Sequence, residues 1–129
     1  MKHIEVVAAV IKHEEAILCV QRGNHKFEYI AHKYEFPGGK VENGETAEEA
    51  LKREIQEELN LDITVKQLLI TVKHQYPDFY IIMHAHHCSC TSRQITLTEH
   101  VRHQWLPEEA LRTLDWAAAD VPVVELLTP

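Results

Sequence analysis

The feature that most constrains the fold is Ile4-Glu5-Val6-Val7-Ala8-Ala9-Val10-Ile11, an almost unbroken apolar run. A strand with one solvated face alternates apolar and polar residues; a run without alternation has to be covered on both sides. The chain therefore calls for a sheet with material packed on each face. The run is far short of the ~18 residues that suggest a membrane span. Lys12-His13-Glu14-Glu15 is a polar turn, and Ala16-Ile17-Leu18-Cys19-Val20-Gln21 is a second strand, so the two read as a hairpin.

Punctuation residues divide the rest of the chain. Gly23 to Lys33 is polar and irregular, a surface loop. Glu35-Phe36-Pro37-Gly38-Gly39-Lys40 interrupts any regular element through Pro-Gly-Gly. A helix comes next, with Thr46 as N-cap, Glu49 completing a capping box, and Ala47, Ala50, Leu51 and Ile55 as its apolar stripe. Asn60 stands where a helix C-cap wants a left-handed residue. Ile63–Val72 and Phe79–Cys90 read as strands joined by a turn around Pro77-Asp78. Pro107-Glu108-Glu109-Ala110-Leu111 starts a short helix with Pro in its first turn, and Asp120 to Leu127 starts another with Asp120 as N-cap. The expectation is one domain over residues 1–129, of α/β (α+β) class, with a central mixed sheet and helices on its faces.

Composition removes several function classes. A net charge of −7 argues against a protein that coats a nucleic-acid polymer, but not against a small phosphorylated substrate, because divalent cations can supply the missing positive charge. Three cysteines are too few for a disulfide scaffold and fit a reducing compartment. The opening Met1-Lys2-His3-Ile4-Glu5 lacks a signal-peptide apolar region, so the expected location is cytoplasmic, without a membrane.

Arg53-Glu54-Ile55-Gln56-Glu57-Glu58 is the most informative stretch. On a helix, Glu54, Glu57 and Glu58 share a face, and three carboxylates there repel one another. Glu57 and Glu58 also approach the helix C-terminus, where the macrodipole disfavours negative charge. One reading is a solvated acidic face softened by Lys52 and Arg53. The other is a cation site: Mg²⁺ prefers oxygen ligands and keeps waters, and a carboxylate cluster facing substrate phosphates suits it. Arg53 can pair with Glu57 at i+4 and hold it. The Pro-Gly-Gly-Lys loop, the capping box and the further acid Glu45 around the cluster favour the second reading.

Gly39, Glu45, Arg53-Glu54-Ile55, Glu57-Glu58 and Leu61 stand in the spacing G-x5-E-x7-R-E-U-x-E-E-x-G-U, where U is a bulky aliphatic. On these residues the chain resembles the Nudix hydrolases. The one departure is Asn60 for the last glycine, a mild one because Asn also closes helices in the left-handed region. Glu35 to Lys40, Glu99 followed by Trp105, and Ala118-Ala119-Asp120-Val121-Pro122-Val123 resemble the MutT-like branch. Within it, the apolar opening, Pro107 to Leu111 and Ala119 to Pro122 look closest to bacterial CTP pyrophosphohydrolases.

The resemblance implies an α/β/α sandwich and a Mg²⁺-dependent hydrolysis of a nucleoside triphosphate to monophosphate and diphosphate, with Mn²⁺ able to substitute. The implied metal ligands are Glu57, Glu58, Glu99, Glu54 and the Gly38 carbonyl. Glu54 would also activate water as general base, Arg53 would orient the glutamates, and Glu45 would support the loop–helix junction. Arg22 and Lys40 would lie near the phosphates. Asp120 has two readings, a hydrogen bond to the nucleobase or a plain N-cap. Tyr76 or Phe79 could stack on the base, or simply pack. CTP or dCTP and an oxidised nucleotide such as 8-oxo-dGTP are the expected substrates. The alternatives are another nucleoside diphosphate derivative, or a binding domain without turnover, which the full set of acids disfavours. The protein is expected to act as a monomer or homodimer.

Ten histidines remain. His84, His86, Cys88 and Cys90 alternate and would share a sheet face, but ligands spaced ~6–7 Å along one strand do not converge on a tetrahedral metal without help from other elements. His25, His32 and His74 could sit near a substrate, and nothing in their spacing selects one.

Overall fold

The computed structural model describes Lys2 to Pro129; Met1, the first residue of the opening segment, lies outside the described residues. The apolar run forms most of β1 (Lys2–His13), which lies inside a seven-stranded mixed sheet. On one side β1 runs parallel to β6 (Phe79–Ser89), and β5 (Thr64–Gln75) pairs antiparallel with β6 at the sheet edge. On the other side β1 pairs with β2 (Ala16–Arg22) only at Lys12↔Ile17 and His13↔Ala16. The two strands then part. β4 (Gly38–Lys40) takes the place beside Val6–Ala8, and Ala9 N donates to Pro37 O at 2.8 Å in the gap. β2 also carries β3 (Tyr34–Glu35) and β7 (His100–Leu106), both antiparallel.

The alternation of β1 distributes its side chains between two apolar cores. Val7, Ala9 and Ile11 pack with Ala50, Leu51, Ile55 and Leu59 of α1 (Ala47–Leu59). Ala8 and Val10 pack with Leu111, Trp116, Val123 and Val124 from the C-terminal segments. Coverage on both faces thus holds from Val7 onward, whereas Ile4 and Val6 are only partly buried and border a cavity. The hairpin turn is made by Glu14 and Glu15, with φ of 47° and 68°. Two left-handed residues match the twist of a two-residue hairpin, a place more often taken by Asn-Gly.

The expectations for α1 hold in detail. Thr46 Oγ1 accepts from Glu49 N at 3.1 Å and Glu49 Oε1 accepts from Thr46 N at 2.9 Å, closing the capping box. Asn60 ends α1 with φ 52° and ψ 44°. Two expectations need correction, and a 3₁₀ turn and a strand add to the elements expected. The Glu35–Lys40 segment does not simply break regular structure: β3 and β4 flank Phe36-Pro37 and join the sheet edgewise. Pro107 begins a 3₁₀ helix over Glu108–Thr113 rather than an α-helix, and occupies its N-cap. A 3₁₀ turn at Ala118–Asp120 leads into α2 (Val121–Leu127). Finally, β7 is a strand that no sequence signal suggested, since His100-Val101-Arg102-His103-Gln104 is mostly polar.

Candidate active site

Arg53 ties the Gly-Gly loop to α1. Its Nε and Nη2 donate to the two oxygens of Glu45 at 2.7 and 2.9 Å, a fork that fixes both partners. Nη1 donates to Glu54 Oε1 at 2.8 Å and, more loosely, to Glu57 Oε2 at 3.3 Å, and Nη2 reaches Lys40 O at 3.1 Å. Hydrogen bonds from Arg53, then from the Glu42 backbone N–H, hold the Glu45 carboxyl at about 2. Glu45 is thus an anchor for the loop, and Arg53 is committed on every side.

Glu58 has the opposite environment. It is 7% exposed, and its Oε2 is buried without a hydrogen-bond partner. Burial first, then the Glu99 side chain and the charges of Glu54, Glu99 and Glu35, push its carboxyl up to about 9. Burial also raises Glu54, with Arg53 pulling the other way. Glu99 comes close because Thr98 is pinned under the helix end: its Oγ1 donates to Glu57 O at 3.1 Å and Glu58 O at 3.0 Å. Gly39 makes the loop's approach possible, since a Cβ there would fall 2.5 Å from the Glu54 carboxylate. At Gly38 a Cβ would strike the Val7 carbonyl of β1.

Glu54, Glu58, Gly38, Gly39 and Lys40 border one end of a cavity of ≈ 730 Å³, and Arg22 lines it as well. Its other end is built from separate segments: Phe27 and Ile30 of the 23–33 loop, Tyr76 and Phe79 at the β5–β6 turn, and Ala119-Asp120. Tyr76 is buried, its hydroxyl accepts from Ala119 N at 2.9 Å, and its ring stacks on Tyr29 at 5.2 Å. Asp120 is 4% exposed and occupies the N-cap position of α2, but it makes no capping bond. Its Oδ1 accepts instead from Phe36 N at 2.9 Å, which corrects the N-cap reading. Burial, then the charge of Glu35, raises its carboxyl well above the ordinary range.

Arg22, Lys40, Glu54, Glu58, Gly38, Asp120, Tyr76 and Phe79 therefore share one cavity, while Arg53 and Glu45 stand behind its wall. Glu57 does not line the cavity and its side chain is 61% exposed, but its Oε2 shares the Arg53 Nη1 donor with Glu54 Oε1, which keeps its carboxylate beside those of Glu54 and Glu58. Sequence reasoning missed Glu35, which lines the cavity and accepts from the buried His100 Nε2 at 2.9 Å. That contact joins β3 to β7, the strand without a sequence signal. It also missed Phe27, whose polar loop gave no apolar pattern.

Of the alternating histidines and cysteines on β6 and just beyond it, three have distinct surroundings, while the buried His86 Nδ1 has no hydrogen-bond partner. His84 contacts Glu5 Oε2 at 2.6 Å and Thr71 Oγ1 at 2.8 Å. Cys88 is buried in the α1-side core and Cys90 donates to Ser92 O. Among the described residues, no group of three or more His, Cys, Asp or Glu could hold a metal ion unaided.

A mixed sheet between helical layers, with a Gly-Gly loop leading into an acidic helix, defines a class. The chain belongs to the Nudix family: it matches the NUDIX domain over residues 1–127. It is a Nudix hydrolase, with the Nudix α/β/α sandwich expected from its sequence. It is 38% identical to the CTP pyrophosphohydrolase of Escherichia coli K12 over 126 residues, covering 97% of this chain and 91% of that protein. It is 34% identical to the 8-oxo-dGTP diphosphatase of the same organism over 83 residues, covering 64% of each. Among solved structures, the solution structure of the E. coli ORF135 protein matches with a TM-score of 0.83 at 35% identity, covering 98% of this chain and 89% of that one. The resemblance read from the sequence is borne out by these matches. None of the described helices is long and apolar enough to cross a membrane.

Nudix hydrolases generally use divalent cations, and the residues present fit one. A buried carboxyl oxygen without a partner, on a group crowded by Glu54 and Glu99, is a costly arrangement that a cation would relieve. Glu54 lies across the same cavity wall, and hard oxygen donors suit Mg²⁺, which keeps waters and shares its shell with phosphates rather than needing a closed protein cage.

Proposed function

We propose that this chain is a nucleoside triphosphate pyrophosphohydrolase, releasing a nucleoside monophosphate and diphosphate, with CTP or dCTP as the first candidates and 8-oxo-dGTP as the second. The observation that carries the reading is the single cavity running from Glu54 and Glu58 to Tyr76, Phe79 and Asp120. One end suits a metal-bridged polyphosphate and the other a flat base with polar edges. The names of the two Escherichia coli relatives support the substrate class.

In this reading Glu58, Glu57, Glu99, Glu54 and the Gly38 carbonyl would hold Mg²⁺, or Mn²⁺ in its place. When bound, the ion polarises phosphoryl oxygens and lowers the pKa of a water. Glu54 would be the residue that accepts the proton of the attacking water. Arg53 keeps Glu54 aimed and Glu45 keeps Arg53 in place. Arg22 and Lys40 face the phosphates. Asp120 reads the base edge, next to Tyr76 and Phe79. The three cysteines are free, which suits a cytoplasmic setting.

The test is a panel of CTP, dCTP, 8-oxo-dGTP, the ordinary triphosphates and nucleotide sugars, incubated with Mg²⁺ and the pure chain, with products separated. Monophosphate and pyrophosphate from one triphosphate are expected. Nucleoside diphosphate and orthophosphate as products, or activity confined to nucleotide sugars, would overturn the assignment.

A further inference from the structure

Of the three histidines that the sequence left unranked, the fold selects one. His25 lines the cavity; His32 and His74 do not. His25 Nδ1 accepts the backbone N–H of Phe27 at 3.0 Å. A neutral imidazole carries one proton, so with Nδ1 used as acceptor that proton sits on Nε2. The charged neighbours acting on the ring are Arg22 of β2, Lys26 of its own loop and Glu35 of β3. Burial and the two cations favour the neutral form.

The loop that carries His25 is held at several points. His32 N donates to Gly23 O at 3.1 Å across its base, and Ile30 and Ala31 N–H groups both donate to Phe27 O at 3.0 Å. The Tyr29 hydroxyl donates to Asp78 Oδ2 at 2.8 Å, tying the loop to the β5–β6 turn. Tyr29 also stacks on Tyr76 at 5.2 Å, and Phe27 on Phe79 at 6.0 Å. A donor on so anchored a loop loses little freedom when it binds, which is what a positioning group needs.

We propose that His25 is a substrate-binding residue whose Nε2–H donates to a phosphoryl oxygen of the nucleotide, beside Arg22 on the cavity wall. This rests on the nucleotide reading of the cavity and adds a neutral donor to its phosphate contacts. Near an acidic site such a donor orients a phosphate without competing with the cation for charge.

The two amide variants separate this role from simple loop support. Asn at 25 places an amide oxygen where Nδ1 accepts from Phe27, and loses the far donor; Gln reaches toward Nε2 and keeps a donor there. With the full chain in Mg²⁺, titration calorimetry compares CMP with cytidine. His25→Asn is expected to weaken CMP about tenfold, the size of one hydrogen bond to a charged group. It should leave cytidine unchanged, and His25→Gln should recover most of the CMP affinity. Thermal melts of both variants should match wild type. Equal loss for CMP and cytidine, better retention in Asn than in Gln, or no change in either variant would overturn the proposal. Because binding is read directly, a wild type that turns over no triphosphate would sink the hydrolase reading while the affinity ratio still decides His25.

Discussion

The two ends of the cavity are built differently. The end proposed for the phosphates comes mostly from one continuous segment, Gly38 to Glu58, where a tight loop and a capped helix place Glu45, Arg53, Glu54 and Glu58 by local geometry. The end proposed for the base is gathered from Phe27, Ile30, Tyr76 and Asp120, four residues spread over more than ninety positions. The first end holds its groups through a charged network centred on Arg53; the second holds them by burial, ring stacking and single hydrogen bonds to backbone. Chemistry common to many substrates can be carried by a fixed local segment, while selection among bases can change segment by segment.

The comparison predicts a gradient of mutational effects. Glu54→Gln keeps shape and removes the proposed base, and turnover is expected to fall on the order of a thousandfold. Near-normal steady-state rates in that variant would move the proton-accepting role elsewhere. Gly39→Ala puts a methyl group against the Glu54 carboxylate, the mobile end of a side chain, so the protein should fold and lose about ten- to a hundredfold in kcat. Gly38→Ala meets strand backbone instead and should lower the melting temperature.

At the base end the effects should be smaller and selective. Asp120→Asn keeps an oxygen for Phe36 N–H and removes a carboxyl that burial disfavours as an anion. Its melting temperature should equal or exceed that of wild type, while KM ratios among triphosphates shift by about tenfold or less. An unchanged substrate ranking would remove Asp120 from base reading.

The same contrast explains why one end was legible from sequence. Capping box, left-handed Asn60 and i, i+4 spacing are local rules, and Thr46, Asn60 and the Arg53–Glu57 contact obey them. Local rules cannot show that Glu57 stays exposed while Glu58 is buried, because that difference depends on distant neighbours such as Thr98 and Glu99. They cannot find β7 either: its polar residues are held by pairing with β2, and His100 is buried by its contact with Glu35. Asp120 looked like a cap because position and residue type agreed, but a backbone N–H 84 positions away took its oxygen.

The smallest effect concerns stability. With a folded pKa of about 9 against an ordinary 4.5, Glu58 keeps its proton in the folded state where the unfolded chain has released it. The folded state then binds more protons, so stability falls as pH rises through that window. Metal-free Glu58→Gln should therefore melt a few degrees above wild type near pH 8. The gap should close toward pH 5, as differential scanning calorimetry would show. A constant gap across this range would mean that Glu58 is ionised in the fold.

The proposed function depends on completion of the buried pair Glu54 and Glu58 by a divalent cation that the reaction requires. It is tested most directly by pyrophosphate release from CTP and 8-oxo-dGTP after chelation and Mg²⁺ add-back, in wild type and Glu58→Gln. Release should vanish in chelated wild type, return with Mg²⁺, and need much more Mg²⁺ in the variant. Full release after chelation, or superimposable Mg²⁺ curves for the two proteins, would contradict the account.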